Sequence, residues 1–320
     1  MGGRSVTTLL RHAIFSHAGQ ARSVDLGTIF AFSRPSDDPD HRPRSLLSLS
    51  DFIVLPAESL LEVRERLPAS ASRKPPLLFV HGGYCDAWCW EPYFLPWFAS
   101  RGYPSYALSL RGHGASGGGR MLFVAGLDDY EADVEHVAGE LDAPPVLIGH
   151  SMGAAIVERI VAKRPVRGAA LLAPVPPAGL LPMAARLAAE NPEYMMQMGG
   201  LDPARLSSAV LTTLRPFYFS PDVAPEILIE AVKHLNAESP RALMDLSLRL
   251  HWALPAADHR PLFVLGAEGD RICTPDDVRA TASHHRAAAT IVPGLAHMMM
   301  LERQWRNAAE PLEAWLQTLR

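Results

Sequence analysis

Pro145-Val146-Leu147-Ile148-Gly149-His150-Ser151-Met152-Gly153-Ala154-Ala155 decides how the rest of the chain is read. A short apolar run leads into glycine, any residue, serine, any residue, glycine, and then into small residues suited to close packing. The order predicts a strand, a sharp elbow and a helix. A serine at such an elbow takes a strained backbone conformation, and glycines two positions before and after it are required because side chains there would collide with the adjoining strand and helix. The turn pushes the Ser151 hydroxyl out above the sheet edge. The five-residue pattern is common by chance, so its meaning rests on its flanks and on partners that arrive later in the chain.

Outward from the elbow, apolar runs alternate with helical periodicity. Leu77-Leu78-Phe79-Val80 is apolar throughout, as a parallel strand covered on both faces should be, and it ends in His81-Gly82-Gly83. Before it, Phe52 to Leu55 and Leu61 to Leu67 predict an antiparallel strand pair with one wet face. The Trp-rich segment from Trp88 to Ser100 predicts a helix stopped at Gly102, and Tyr106 to Leu110 the next strand. Arg111 to Gly119 is a glycine-rich loop without the lysine and helix start of a Walker site, hence a tight turn near a cleft. Tyr130, Val134, Val137 and Leu141 recur at helical spacing, with Asp129, Glu131, Asp133 and Glu135 expected on a solvated outer face.

Beyond the elbow, Ile156, Val157, Ile160 and Val161 form an inward helical stripe, and Ala169 to Leu172 a strand. Residues 174–254 interrupt the alternation with a helical insertion, in which Asp202-Pro203, Ser220-Pro221 and Ser239-Pro240 predict three helix starts. Alternation resumes with the strand Pro261 to Leu265 and a polar loop reaching Asp270. A helix from Pro275, a strand from Thr290 to Val292, the turn Gly294 to His297 and a closing helix with a Trp305-to-Leu319 stripe complete the pattern. Repeated strand-helix units of this kind predict an α/β fold, a mostly parallel sheet with helices on both faces.

With 48% hydrophobic and 20% charged residues among 320, the chain has ample material for a buried core. A net charge of -4 leaves no basic stripe for nucleic acid, and no apolar run approaches the roughly 18 residues of a spanning helix. Three cysteines cannot close a disulfide framework and suggest a reducing compartment, so a cytoplasmic setting is expected. Cys85 and Cys89 lack third and fourth ligands at a metal spacing, and Cys273 reads as a small apolar filler. Residues 1–50 are expected to be an N-terminal extension, poorly ordered or a targeting segment. An acid-poor start with Arg, Ser and scattered leucines is similar to an organelle transit peptide, which gives an organellar alternative. Oligomeric state leaves no signal in the sequence.

In an open parallel sheet, reactive groups gather at the carboxyl ends of strands, where Gly83, Ser151, Asp270 and His297 are predicted to lie. The order is Ser, Asp, His. His81-Gly82, Gly149-His150-Ser151-Met152-Gly153, Gly266-x-x-x-Asp270 and Gly294-x-x-His297 together resemble the α/β-hydrolase superfamily, in its serine-nucleophile, esterase- or lipase-like branch. The resemblance implies an α/β-hydrolase domain over residues 51–320, interrupted by a helical cap over 174–254. It also implies that Ser151 attacks a carbonyl carbon, that His297 moves the proton, and that Asp270 orients and stabilises the imidazole. The backbone N-H groups of Met152 and Gly83 are the implied oxyanion donors, with Tyr84 the second choice for the loop donor.

Asp276 and Asp277 are alternatives to Asp270, but Pro275 places them in a first helical turn, where carboxylates complement the helix dipole. His81, His113 and His150 read as structural hydrogen-bonding residues, since none follows the last strand. Serine at the elbow departs from haloalkane dehalogenases and epoxide hydrolases, which carry aspartate there, and from dienelactone hydrolases, which carry cysteine. Met298 stands where hydroxynitrile lyases have lysine, and Tyr84 ends the glycine run that hormone-sensitive-lipase relatives extend. Arg111 to Ser116 is similar to a segment of monoacylglycerol-lipase and lysophospholipase relatives. The expected function is cleavage of a carboxylic ester of apolar, lipid-like acyl character, with a small-molecule substrate and no cofactor or metal. The alternatives are hydrolysis of a carbon-carbon bond with the same triad, or a ligand receptor that hardly turns over.

Overall fold

The computed structural model describes residues 60–248 and 261–319. Among these, strands β1 (Val63–Arg66), β2 (Leu77–Val80), β3 (Ser105–Leu108), β4 (Val146–His150), β5 (Ala169–Leu172), β6 (Leu262–Ala267) and β7 (Ala289–Val292) form one sheet in the order β1-β3-β2-β4-β5-β6-β7. Only β1 runs antiparallel, against β3. Every other neighbouring pair is parallel. The strand predicted over Phe52 to Leu55 lies outside the described residues, and the 61–67 segment pairs with β3.

Why two layers of helix are needed is visible along each central strand. Leu77 and Phe79 of β2, with Val146 and Ile148 of β4, enter one core, which includes α1 (Phe94–Ser100) and α10 (Arg306–Leu316). Leu78 and Val80 of β2, with Leu147 of β4, enter a second, which includes α2 (Leu127–Glu140), α3 (Met152–Lys163) and α9 (Pro275–His284). Side chains alternate across a strand, so an unbroken apolar run has two faces to bury. Phe79 packs on Trp90 at 4.9 Å and on Phe98 at 5.7 Å between ring centroids. Each such fully buried side chain contributes about 1.5–3 kcal/mol.

Between β5 and β6 the chain makes a helical excursion through α4 (Leu180–Glu190), α5 (Pro192–Gly199), α6 (Ser208–Tyr218), α7 (Pro225–Lys233) and α8 (Pro240–Leu248). Leu187, Tyr194, Leu214 and Phe217 join the first core, and Ala242 and Leu246 the second. Of the three predicted helix starts, Ser239 begins α8, its hydroxyl accepting the Ala242 N-H at 3.2 Å. Asp202 caps only the 3-10 turn Pro203–Arg205. Ser220 caps no helix: its hydroxyl and N-H both go to the buried Glu302, at 2.5 and 2.7 Å, and the next helix starts at Pro225. The end of the 174–254 insertion falls outside the described residues.

The acidic face of α2 differs from the expected solvated one. Glu131 and Asp133 are buried, Glu131 accepting from Arg159 and Lys163, and Asp133 gripping the Arg111 guanidinium through both oxygens. Helical periodicity gives a residue's azimuth but not what packs there, and here three cationic side chains, Arg111, Arg159 and Lys163, meet the face. Among the described residues no helix is long and apolar enough to cross a membrane.

The elbow explains its own glycines. A Cβ on Gly149 would overlap the Gly153 carbonyl and approach the Ala154 Cα to 2.6 Å. One on Gly153 would overlap the Val80 carbonyl and approach that of His81 to 2.5 Å. All of these obstacles are backbone, which cannot rotate aside. Gly149→Ala is therefore expected to destabilise the fold by about 3 kcal/mol or more, at or above the upper end of ordinary overpacking costs. Urea unfolding followed by circular dichroism measures it, and a loss below about 1 kcal/mol would show that the elbow can relax.

Candidate active site

Three features meet at the carboxyl end of the sheet, the second of them built from two loops. The first is the elbow, where Ser151 has φ 53° and ψ -115°, in the left-handed half of backbone space that costs a side-chain-bearing residue. Its N-H donates to Leu172 O of β5 at 2.9 Å, which fixes the turn against the neighbouring strand. Ser151 immediately precedes α3, so the positive end of that helix and the Met152 N-H face the same space. Met152, as the first helical residue, has no intrahelical acceptor, and among the described residues its N-H meets none elsewhere.

The second meeting point joins the loops after β6 and β7. Glu268 N-H donates to Val292 O at 2.9 Å and Gly269 N-H to Leu295 O at 3.0 Å, tying the two loops together. Asp270, 3% exposed, accepts from Ile272 N-H at 2.8 Å and Cys273 N-H at 3.0 Å on Oδ1. Its Oδ2 lies 2.8 Å from His297 Nδ1. A carboxylate already holding two backbone donors accepts here, so Nδ1 carries the proton and Nε2 keeps its lone pair when the ring is neutral. The carboxylate on His297 is that of Asp270: Asp276 is 92% exposed beside Arg279, and Asp277 closes a capping box with Thr274. His297 is held from behind by His150, whose Nε2 donates to its carbonyl at 2.9 Å, and the Tyr218 ring meets its imidazole edge-on at 5.9 Å. Among the described residues the Ser151 hydroxyl makes no hydrogen bond to the His297 ring; nucleophile-to-base hydrogen bonds commonly tighten only once a substrate binds.

The third is the loop after β2. A Cβ on Gly82 would come within 2.9 Å of His150 Nδ1 and 3.1 Å of Ser151 Cβ, so only glycine lets this loop lie against the elbow. Among the described residues the Gly83 N-H has no acceptor. The Tyr84 N-H is taken, donating to Glu238 Oε2 at 3.2 Å, which removes the second-choice loop donor.

The surrounding histidines differ in charge for identifiable reasons. His81 donates from Nδ1 to Gly82 O at 2.8 Å and accepts the Leu110 N-H on Nε2 at 3.0 Å, the pattern of a neutral ring. Burial, together with the nearby His113, pushes its pKa down to about 4. His113 faces acceptors on both sides, Arg111 O at 3.1 Å and Glu238 Oε2 at 3.2 Å, the pattern of an imidazolium. Burial opposes that charge, but the Glu238 hydrogen bond and charge outweigh it and raise the His113 pKa. Burial and then His297 hold His150 well below the usual histidine range.

Sequence reading missed Glu238, whose side chain is completely buried beside the Gly83 loop. It also missed the paired Asp86 and His234, 2.9 Å apart, with the His234 ring stacked on Trp88 at 4.6 Å. A pocket of about 360 Å³ adjoins the site at Gly83 and Met298, next to His297. Its wall is mainly apolar, with Met198, Leu211, Phe219, Leu228, Val232 and Leu301 from the helical excursion and the body. Cys85, Cys89 and Cys273 are free thiols, and burial pushes that of Cys85 up to about 12.

A family model described as the alpha/beta hydrolase family matches residues 77–310. Among solved structures, Rv0554 from Mycobacterium tuberculosis has a TM-score of 0.63 at 18% identity, covering 81% of this chain and 94% of that one. The enol-lactonase from Burkholderia xenovorans has a TM-score of 0.59 at 18% identity, covering 80% and 96%. The monoacylglycerol lipase of Paleococcus ferrophilus has 0.54 at 20% identity, covering 81% and 99%. At these identities the likeness is one of fold.

The histidines give this site a pH signature. The unfolded state binds a proton on His81 near pH 6.5, whereas the folded state does so only near 4. Its contribution to stability is present above pH 6.5 and is lost as pH falls toward 4, on the order of 3 kcal/mol in all. His150 acts with the same sign, and His113, with its raised pKa, with the opposite one. Urea unfolding is expected to lose stability from pH 6.5 to 5, and His81→Gln to flatten that slope. An unchanged slope in the variant would contradict the assignment.

Proposed function

The chain belongs to the alpha/beta hydrolase family, and from that premise we propose that it is a serine hydrolase cleaving a carboxylic ester through an acyl-enzyme. The carrying observation is the Asp270–His297 hydrogen bond of 2.8 Å, set beside a strained serine and two backbone N-H groups without acceptors. Ser151 Oγ attacks the ester carbon while His297 Nε2 takes its proton. Asp270, fixed by two backbone donors, holds the reactive tautomer and stabilises the cation that forms. The Gly83 and Met152 N-H groups receive the oxyanion, and the α3 dipole adds to them. Collapse expels the alcohol with the proton from His297. Water, deprotonated by the same nitrogen, then releases the acid and restores the serine.

The pocket at Gly83 and Met298 supports an apolar acyl group, because a wall of Met, Leu, Phe and Val side chains favours hydrocarbon and desolvates poorly paired polar groups at a cost. Two of the fold neighbours are named as an enol-lactonase and a monoacylglycerol lipase, in keeping with this reading. The helical excursion of residues 174–254 is the proposed cap.

The test is a burst of p-nitrophenol from p-nitrophenyl esters, with labelling of Ser151 by a serine-directed phosphonate. Ser151→Ala is expected to lower kcat by about 10⁴-fold or more, and Asp270→Asn nearly as much, as losses within a cooperating triad generally do. Asp276→Asn should remain within about twofold, as surface substitutions away from the site do. Absence of both burst and labelling would sink the reading, and faster turnover of a vinylogous diketone than of any simple ester would move it to carbon-carbon bond hydrolysis.

A further inference from the structure

After α7 the chain returns from the helical excursion to the body, and its path follows the loop that carries Gly83. Asn236 N-H donates to Tyr84 O at 2.8 Å, and its side-chain oxygen accepts the Gly114 N-H at 3.0 Å. Two residues on, Glu238 turns inward and is completely buried. Its two oxygens receive four donors from four segments: the Tyr84 N-H at 3.2 Å and His113 Nε2 at 3.2 Å on Oε2, and the Tyr130 hydroxyl at 2.8 Å and Ser239 N-H at 2.7 Å on Oε1. A carboxylate is the side chain that can accept on every side at once.

Two features give this arrangement a purpose beyond packing. Tyr84 has φ 63°, a strained conformation for a bulky residue, and both its amide N-H and its carbonyl are held by the 236–238 segment. Released from that grip, the residue after Gly83 would relax toward negative φ and turn the loop. In addition, Glu238 Oε2 lies only 3.4 Å from where a Cβ on Gly83 would stand. A bare carboxylate so close would oppose an oxyanion forming at the Gly83 N-H. Paired with the His113 imidazolium, it adds almost no net charge there while keeping its hydrogen bonds.

We infer that Glu238 is a positioning residue for the proposed hydrolysis: by holding Tyr84 it aims the Gly83 N-H at the developing oxyanion, and His113 cancels its charge. The inference rests on the serine-hydrolase reading. A glutamine in its place presents two donors of its own to four donors and leaves His113 without its anion.

The test compares the unsubstituted protein with Glu238→Gln and Glu238→Asp in p-nitrophenyl ester hydrolysis. Rates are expressed per active site titrated to its endpoint with the phosphonate, so unfolded protein does not count. Loss of aim at one oxyanion donor is expected to lower kcat in Glu238→Gln by about 10- to 100-fold, less than outright removal of a donor, with KM within about threefold. Glu238→Asp, which keeps the carboxylate, should recover several-fold over glutamine. A kcat per titrated site within about twofold of the unsubstituted protein, whatever the change in Tm, would reduce Glu238 to a packing role and overturn the inference. A raised KM at unchanged kcat would overturn it as well. Should Glu238→Gln not accumulate folded, Tyr130→Phe and His113→Gln each disturb the same carboxylate, and unchanged kcat in both overturns the inference. If the unsubstituted protein neither turns over esters nor takes up the phosphonate, the hydrolase reading fails and takes this one with it. Ester turnover with an indifferent Glu238 removes this one alone.

Discussion

One backbone conformation organises this molecule: Ser151 at φ 53° between the end of β4 and the start of α3. It costs energy wherever a side-chain-bearing residue adopts it, and it persists because the surroundings allow no alternative. Gly149 and Gly153 let strand and helix approach until backbone meets backbone, and the Ser151 N-H is tied to Leu172 O. The sheet supplies the rigidity. β4 lies at its centre, between β2 and β5, with a separate core on either face.

Around that point, polar groups are buried in a graded way. His81 and His150 are kept neutral by burial, and each uses a ring N-H to hold a backbone carbonyl, of Gly82 and of His297. His113 is kept charged, because Glu238 and Arg111 O accept from both its nitrogens. Three buried histidines thus serve the two loops that flank Ser151, and which of them carries charge follows from the acceptors each one meets. In the proposed reaction only the His297 ring, with one nitrogen committed to Asp270, is left to exchange a proton.

The alpha/beta hydrolase fold hosts many reactions, and the neighbours of this chain already differ in what they are named for. In this chain the surroundings of the Gly83 loop are built by the excursion between β5 and β6. Here its helices line an apolar pocket, and its return segment closes over the Gly83 loop through Asn236 and Glu238. A single insertion therefore lines the pocket and braces the loop beside it. Glu302 ties the same excursion to the body at Ser220, beyond the His297 turn.

By itself the sequence determined the alternating units, the elbow and the Ser, Asp, His order, because these follow from local rules: apolar runs, helical periodicity, and glycines where nothing larger fits. It also separated Asp270 from Asp276 and Asp277, since a proline at a first helical turn is a local signal. Only the tertiary structure decided what the excursion does. Glu131 and Asp133 looked like a solvated face until Arg159, Lys163 and Arg111 met them, and Ser220 looked like a helix cap until Glu302 claimed it. Glu238 accepts from Tyr84, 154 residues earlier in the chain, and from His113, 125 residues earlier. An acid ahead of a Ser-Pro helix start carries no mark of such partners. The contact exists because β-sheet order, not sequence order, brings the ends of β2, β3 and the returning segment of the excursion to one place, and a buried carboxylate is defined by whatever donors it finds there.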